Sequence, residues 1–380
     1  MRFRLGLVEL APDSTGGAAT YGRAMREILS RLSEELSFDL IRLANESSKS
    51  SISGLDDSVV TYRKWAPPVS PWRRLFSGAV SQSQKQKGQS LPQVLEHESI
   101  DLVWFLAPNQ VIEQVRDVPF VMTVWDLAHR EVQGFPEFNS GRGWSRRESW
   151  YTNNIGRAFH VVTDSTHTGK SLERIYGLYS HNWSAVGLPF PPEIEVDRAL
   201  AHSIESPYYY YPASFWPHKN HKVLIDALVR LLEHEVNLVF TGTDEGMEDP
   251  LKRYAEAQGV GNRVKFLGRV TDSEVQGLIA GSLGVLMPSK LGPTNYPPLE
   301  ALRLGVPSVV STAHHFDELP DGVLGRAQPD DSEQWAQEMR EMVLTRKAVR
   351  PLDGANESAR EKVREVLTSF QRVRDTYRWV

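Results

Sequence analysis

Apolar residues fall along this chain in short dense runs, and between the runs they return at helical spacing. "FRLGLVEL" (3–10) predicts a first strand. A glycine-containing loop then leads into a helix with Met25, Ile28, Leu29 and Leu32 on one face. "FDLIRL" (38–43), "IDLVWFLA" (100–107), "PFVMTVWD" (119–126), "FHVVTDS" (159–165) and a segment at 183–187 predict further strands. The runs at 100–107 and 119–126 are apolar almost throughout, as strands buried on both faces are. The alternation predicts a parallel sheet with helices on both sides.

From residue 187 to 207 the rhythm breaks, with clustered prolines and irregular polar spacing, which reads as a linker. A second alternation follows. "YYYYPAS" (208–214), "VNLVFTG" (236–242), "NRVKFLG" (262–268), "LGVLMPS" (283–289) and "PSVVST" (307–312) predict strands. "NHKVLIDALVRLLEHE" (220–235), "PLKRYAEAQG" (250–259), "TDSEVQGLIAG" (271–281) and "PPLEALRLG" (297–305) predict helices, and the tail from Ser332 is mostly helical. Thr271 or Asp272 with Glu274 behind it reads as a capping box. The expected organisation is two Rossmann-like, doubly wound α/β domains facing across a cleft. They span residues 1–187 and 208–365, with a linker at 188–207 and a last helix at 366–380 returning toward the first domain.

Composition narrows the function classes. A chain of 380 residues suits two domains. A net charge of −5 gives no global attraction to nucleic acid. Without cysteine there are no disulfides and no thiolate metal sites, and a reducing compartment is permitted. The N-terminal stretch turns polar too soon for a signal peptide, and no run reaches the roughly eighteen apolar residues of a membrane span. The expectation is a cytoplasmic protein.

Doubly wound domains bind ligands at the carboxyl ends of their strands, and the chemistry-bearing stretches lie there. In "MPSKLGPTNYPPLEALRLGVPSVVST" (287–312), Pro297 and Pro298 suit a first helical turn. Glu300 either complements the helix dipole or serves a ligand. The N–H groups of Thr294, Asn295 and Tyr296 precede that helix and can face an anion. Lys219 stands just before another helix, where a cation opposes the dipole. A bound diphosphate would give it a reason to be there. "FTGTDEG" (240–246), with Gly242 and Thr243, closes a third strand end. "STGG" (14–17), with Gly16 and Gly17, either lets backbone approach a phosphate or sugar or simply makes the turn. It is not the glycine fingerprint of dinucleotide enzymes.

These stretches carry a resemblance. "YPASFWPHKNH", "VNLVFTG", "RVKFLGRVTDSEVQGLIAGSLGVLMPS" and "GPTNYPPLEALRLGVPSVVS" resemble, in order and spacing, the second domain of GT-B glycosyltransferases of family 4. That retaining group includes many bacterial polysaccharide mannosyl- and glucosyltransferases. "STGGAATYGRAM", "PFVMTVWDLAHREVQGFPEF" and "HVVTDSTHTGKSLERIYGL" match its first domain more loosely. The resemblance implies that Lys219 contacts the donor diphosphate and Glu300 the ribose hydroxyls. It gives the phosphate and donor sugar to the loop of Thr294, Asn295 and Tyr296. Gly268 and Arg269 fall beside the base, and Gly16 and Gly17 close over the donor. Ser214 stands where an arginine partner of the lysine is common, Gly292 where an earlier glutamate is common, and Trp125 where a histidine precedes the aspartate. The Asn295 amide could take over some hydrogen bonds of that glutamate.

The implied reaction is retaining transfer of a hexose from a nucleotide diphosphate sugar, GDP-mannose being the first guess, to a glycan or lipid-linked glycan acceptor. No cofactor is implied, and the absence of a D-x-D pair weighs against a metal-held diphosphate. Asp126 and His129 follow an N-domain strand and are expected to face the cleft. His129 is either a contact to donor or acceptor or a hydrogen-bonded loop histidine. Between Ser58 and Leu95 the charged residues are all basic. Arg63, Lys64, Arg73 and Arg74 are interleaved with aromatics such as Trp72, which suits either an anionic membrane surface or a solvated loop. Two other readings keep the fold: a non-catalytic nucleotide-sugar-binding subunit and a nucleotide-sugar epimerase.

Overall fold

The computed structural model describes residues 2–9, 16–46, 59–63, 88–139, 143–190, 193–205, 207–231, 235–292, 295–313, 316–319, 325–345 and 356–377. Seven parallel strands form the first sheet: β1 Arg4–Val8, β2 Asp39–Asn45, β3 Val59–Tyr62, β4 Leu102–Phe105, β5 Phe120–Val124, β6 His160–Thr163 and β7 Trp183–Ala185. Their order is β3-β2-β1-β4-β5-β6-β7. The helices between them are α1 Gly17–Glu35, α2 Leu91–His97, α3 Ala128–Glu131, α4 Pro136–Asn139, α5 Gly143–Asn154 and α6 Thr166–Tyr176. β4 and β5 are buried at every position, as their continuous apolar runs require.

The second sheet has six parallel strands: β8 Tyr208–Pro212, β9 Asn237–Thr241, β10 Val264–Phe266, β11 Gly284–Met287, β12 Ser308–Ser311 and β13 Gly325–Ala327. Their order is β10-β9-β8-β11-β12-β13. Around them pack α7 Ala199–His202, α8 His221–Val229, α9 Glu248–Ala257, α10 Asp272–Gly281, α11 Pro297–Arg303 and α12 Ser332–Thr345. The strand order reverses between β1 and β4 and again between β8 and β11. Each reversal opens a crevice at the carboxyl ends of the strands.

The centre of the second sheet is a strand of four tyrosines. Each is buried, so each hydroxyl needs a partner. Tyr208 donates to the Leu278 carbonyl at 2.8 Å and Tyr211 to the Lys219 carbonyl at 2.9 Å. Tyr210 shares a 2.7 Å hydrogen bond with Thr241, and Tyr209 donates to the Met339 carbonyl. Because strand side chains alternate, Tyr208 and Tyr210 join the apolar cluster of α7 and α10, while Tyr209 and Tyr211 join that of α8 and α12.

Three departures from the sequence reading have physical causes. The first is the stretch at 188–207, which is more than a tether. Its α7 end docks on α10, where the Asp197 amide donates to the Ser273 carbonyl at 3.1 Å. A Cβ at Gly277 would overlap the Asp197 carbonyl, which explains a glycine in mid-helix. The capping box itself forms, with Thr271 and Glu274 as its pair. Second, β3, β13 and the short helices α2–α4 are too brief to show a period in the sequence, and α5 is mostly polar.

Third, a boundary at residue 365 falls inside one helix, α13 Glu357–Tyr377. This helix packs on the first domain. Val363, Val366, Leu367 and Phe370 enter the core formed by α1 and β1, and the Phe370 ring lies 5.5 Å from that of Phe3. Ion pairs of Arg364 with Glu35 and of Arg374 with Asp101 flank it. Truncation of Phe370 to alanine is expected to cost about 3–5 kcal/mol in chemical denaturation, the range for a buried aromatic. Wild-type stability in that variant would mean that α13 adds nothing to the first core.

Candidate active site between the domains

A cavity of about 530 Å³ lies where the carboxyl ends of both sheets face each other. Of the residues singled out from sequence, Gly16, Gly17, Asp126, Ser214, Lys219, Gly242, Thr243, Arg269, Asn295, Tyr296 and Glu300 line it.

Lys219 is delivered by a tight 3-10 turn, Pro217–Lys219, after β8. Asn220 ends the turn in the left-handed region at φ 58°. Its amide donates to the carbonyls of Pro329 at 2.6 Å and Pro288 at 3.3 Å. The Tyr211 hydroxyl and the Lys290 amide hold the carbonyls of Lys219 and His218 at 2.9 Å. With its backbone fixed, Lys219 directs its ammonium into the cavity. Burial pushes that group down to about 8, and the charge of Asp126 acts in the opposite sense.

The loops after β8 and β9 lie against each other. A Cβ at Gly242 would overlap the Ala213 carbonyl, so glycine lets Ser214 and Thr243 share the cavity wall. Gly268, at φ 65°, accepts the Gly242 amide at 2.9 Å and shapes this wall without lining it.

Glu300 is only 7% exposed. Burial, opposed by Arg303 and reinforced by Asp272, pushes its carboxyl up to about 7. Asn295 is buried, and its amide donates to the Gly292 carbonyl, which leaves Oδ1 without a partner among the described residues. A Cβ at Gly292 would overlap this amide, so a longer side chain at 292 and Asn295 in its present place exclude one another. Thr294 lies outside the described residues. On the opposite wall Gly16, at φ 77°, and Gly17 open α1.

Two sequence expectations need correction or completion. His129 does not face the cleft: it is fully buried, its Nε2 is 3.0 Å from Glu148, and its ring stacks on Tyr151 at 5.3 Å. The short helix α3 turns it into the first domain, while Asp126, two residues past β5, stays at the cavity. Asp126 accepts the Ala128 amide at 2.8 Å and has Arg147 at 3.7 Å. Trp125 turns away from the cavity and packs edge-on to Tyr21 at 5.6 Å, in the cluster that takes in Tyr296 and Leu299 from the second domain.

The sequence reading missed Arg147, Phe138 and the pair Glu137–His218. Glu137 and Phe138 sit on a four-residue helix and His218 on a 3-10 turn, both too short for a periodic signal, and the residues of α5 around Arg147 are mostly polar. Glu137 accepts His218 Nδ1 at 2.7 Å across the domain boundary, with both side chains buried. Burial and the Lys219 charge push His218 down from its ordinary value, and Glu137 acts in the opposite sense. Arg23 and Asp272 form a second cross-domain pair at 2.9 Å.

Of the residues assigned to a membrane or acceptor surface, Lys64, Trp72, Arg73 and Arg74 lie outside the described residues. Arg63 follows β3, its amide bonded to the Gln89 carbonyl at 2.8 Å. Among the described residues no helix is long and apolar enough to cross a membrane, and no three His, Cys, Asp or Glu side chains are grouped to hold a metal ion.

Two outcomes follow from this packing. Gly292→Ala is expected to destabilise by about 1–3 kcal/mol, and the cost should shrink when Asn295 is also changed to glycine. An equal cost in both backgrounds would refute the overlap. Lys219→Met is expected to raise the melting midpoint at neutral pH by roughly 2–4 °C, because it removes a buried charge. In the wild type the penalty is present below about 8 and is relieved as pH rises from there toward 10.5, since the folded state sheds the proton first. A midpoint lowered by the substitution would contradict this.

Comparison with known proteins fits this architecture. A family model described as glycosyl transferases group 1 matches residues 194–349. The O-antigen chain mannosyltransferase RfbU of Salmonella typhimurium is 25% identical over 183 residues, 48% of this chain and 50% of that protein. The chain thus matches about half the length of this curated relative. The solved structure of Anabaena Alr3699/HepE in complex with UDP and glucose superposes with a TM-score of 0.64 at 16% identity, covering 100% of both chains. The UDP-N-acetylglucosamine 2-epimerase of Rickettsia bellii superposes with a TM-score of 0.61 at 14% identity over 99% of both chains. The fold alone therefore does not separate transfer from epimerisation. The chain has the GT-B fold, and residues 194–349 within it match the glycosyl transferases group 1 model.

Proposed function

We propose that this protein is a retaining glycosyltransferase that moves a hexose from a nucleotide diphosphate sugar to a glycan or glycolipid acceptor in surface-polysaccharide synthesis. The observation that carries the reading is the shared cavity. It brings the Lys219 ammonium, the Asn295 loop and the Glu300 carboxylate together inside the group 1 domain, with the first domain as its other wall.

Lys219 binds the diphosphate, and its charge stabilises the leaving group as the sugar departs. Glu300 accepts from the ribose hydroxyls, and the unpartnered Asn295 Oδ1 accepts from the transferred sugar. Asp126 borders the acceptor side. The departing diphosphate takes the acceptor proton on the same face, so the reaction needs no metal. GDP-mannose remains the first donor to test, its sugar being the one named for the mannosyltransferase RfbU, and the UDP-glucose complex of HepE makes UDP-glucose the second. The basic and aromatic composition of residues 58–95 supports peripheral contact with an anionic membrane.

A hydrolysis screen across GDP-, UDP- and dTDP-sugars in EDTA is expected to show slow turnover of one donor. Nucleotide binding without turnover would favour the non-catalytic subunit, and interconversion of donor epimers the epimerase. With the donor known, Lys219→Ala should lower kcat by about a hundredfold or more. Glu300→Gln should mainly raise KM, because the ribose takes no part in the chemistry. The pH profile of kcat/KM should be bell-shaped: Glu300 ionises above about 7 and Lys219 is charged below about 8. A folded Lys219→Ala variant with wild-type kcat would remove the diphosphate role.

A further inference from the structure

The structure assigns to Arg147, on α5 of the first domain, the role of a second cation for the donor diphosphate, supplied from the domain opposite Lys219. This inference rests on the glycosyltransferase reading above. A diphosphate ester is a dianion and gains negative charge as the sugar leaves. Around Lys219 the second domain offers it Ser214, Trp216 and Thr243, none of them charged. His218 is committed to Glu137 through its Nδ1 at 2.7 Å. Among the described residues the cations that line the cavity are Arg147, Lys219 and Arg269.

Arg147 is placed for this role by three contacts. Its Cζ lies 5.4 Å from the centre of the Phe138 ring, a platform for the planar guanidinium. Its Nη1 is 3.7 Å from Asp126 Oδ1, too far for a hydrogen bond, and that oxygen already accepts the Ala128 amide. Lys219 also feels the Asp126 charge, so the two cations share one carboxylate. A phosphate oxygen between them would satisfy both and would meet the fork of N–H donors that arginine presents. The third contact is indirect. Glu137, next to Phe138 on α4, grips His218, next to Lys219, and so ties the platform of one cation to the turn of the other.

The test is calorimetric titration of wild type, R147K and R147A with UDP, GDP and dTDP and with the matching nucleosides. R147A is expected to weaken binding of the diphosphate by about tenfold or more, the range for a hydrogen bond to a charged group, and to leave nucleoside binding unchanged. R147K should fall between, keeping the charge and losing the fork. Wild-type diphosphate affinity in R147A overturns the inference. So does an equal loss for nucleoside and diphosphate, since that would mean that Arg147 shapes the cavity rather than binding phosphate. If wild-type protein binds none of these nucleotides, the glycosyltransferase reading falls and this inference with it.

Discussion

The turn between β8 and α8 governs what the cavity can do. A lysine ammonium half-removed from water holds its position only if the backbone beneath it cannot move. Here that backbone is pinned from four directions: by the Tyr211 hydroxyl below, the Lys290 amide beside it, the Asn220 side chain beyond it and Glu137 from the other domain. The tyrosine strand is therefore more than core filling. Tyr211 spends its hydroxyl on the Lys219 carbonyl, which links the central strand of the second sheet to a cation that lines the cavity. The low pKa of Lys219 follows from the same enclosure. The site thus holds a charge that the fold alone does not favour.

The opposite wall works differently. The first domain contributes glycine backbone at Gly16 and Gly17, a carboxylate at Asp126 and a guanidinium at Arg147. It is joined to the second domain by an aromatic contact around Trp125, Tyr21 and Tyr296 and by the Glu137–His218 and Arg23–Asp272 pairs. Trp125, one residue before Asp126, packs between the domains instead of lining the cavity. Gly292 and Asn295 show a similar exchange within one loop, where an amide fills the space that a side chain at 292 would take.

The sheets were legible because their strands are dense apolar runs separated by punctuating glycines and prolines. The cavity residues of the second domain, Lys219, Asn295 and Glu300 among them, were legible for a related reason. Each lies between such a strand and the helix that follows it, at or near a helix start whose chemistry is local. Arg147, Phe138 and Glu137 were not. They come from helices of the first domain whose placement depends on long-range packing, and their partners are distant in sequence: Glu137 meets His218 and Arg147 meets Asp126. His129 was misplaced for the same reason. Sequence sets it three residues beyond Asp126, but the intervening turn sends the two side chains in different directions, and Glu148 captures the histidine.

The return of α13 to the first domain has a mechanical result. The chain crosses between domains twice, and the two crossings are tied together: the Phe190 amide donates to Asn356 Oδ1, and Asn356 Nδ2 donates to the Phe190 carbonyl at 3.3 Å. Two crossings tied at one place constrain the halves more than two separate ones would. The walls that carry Lys219 and Arg147 are thereby joined through one shared point.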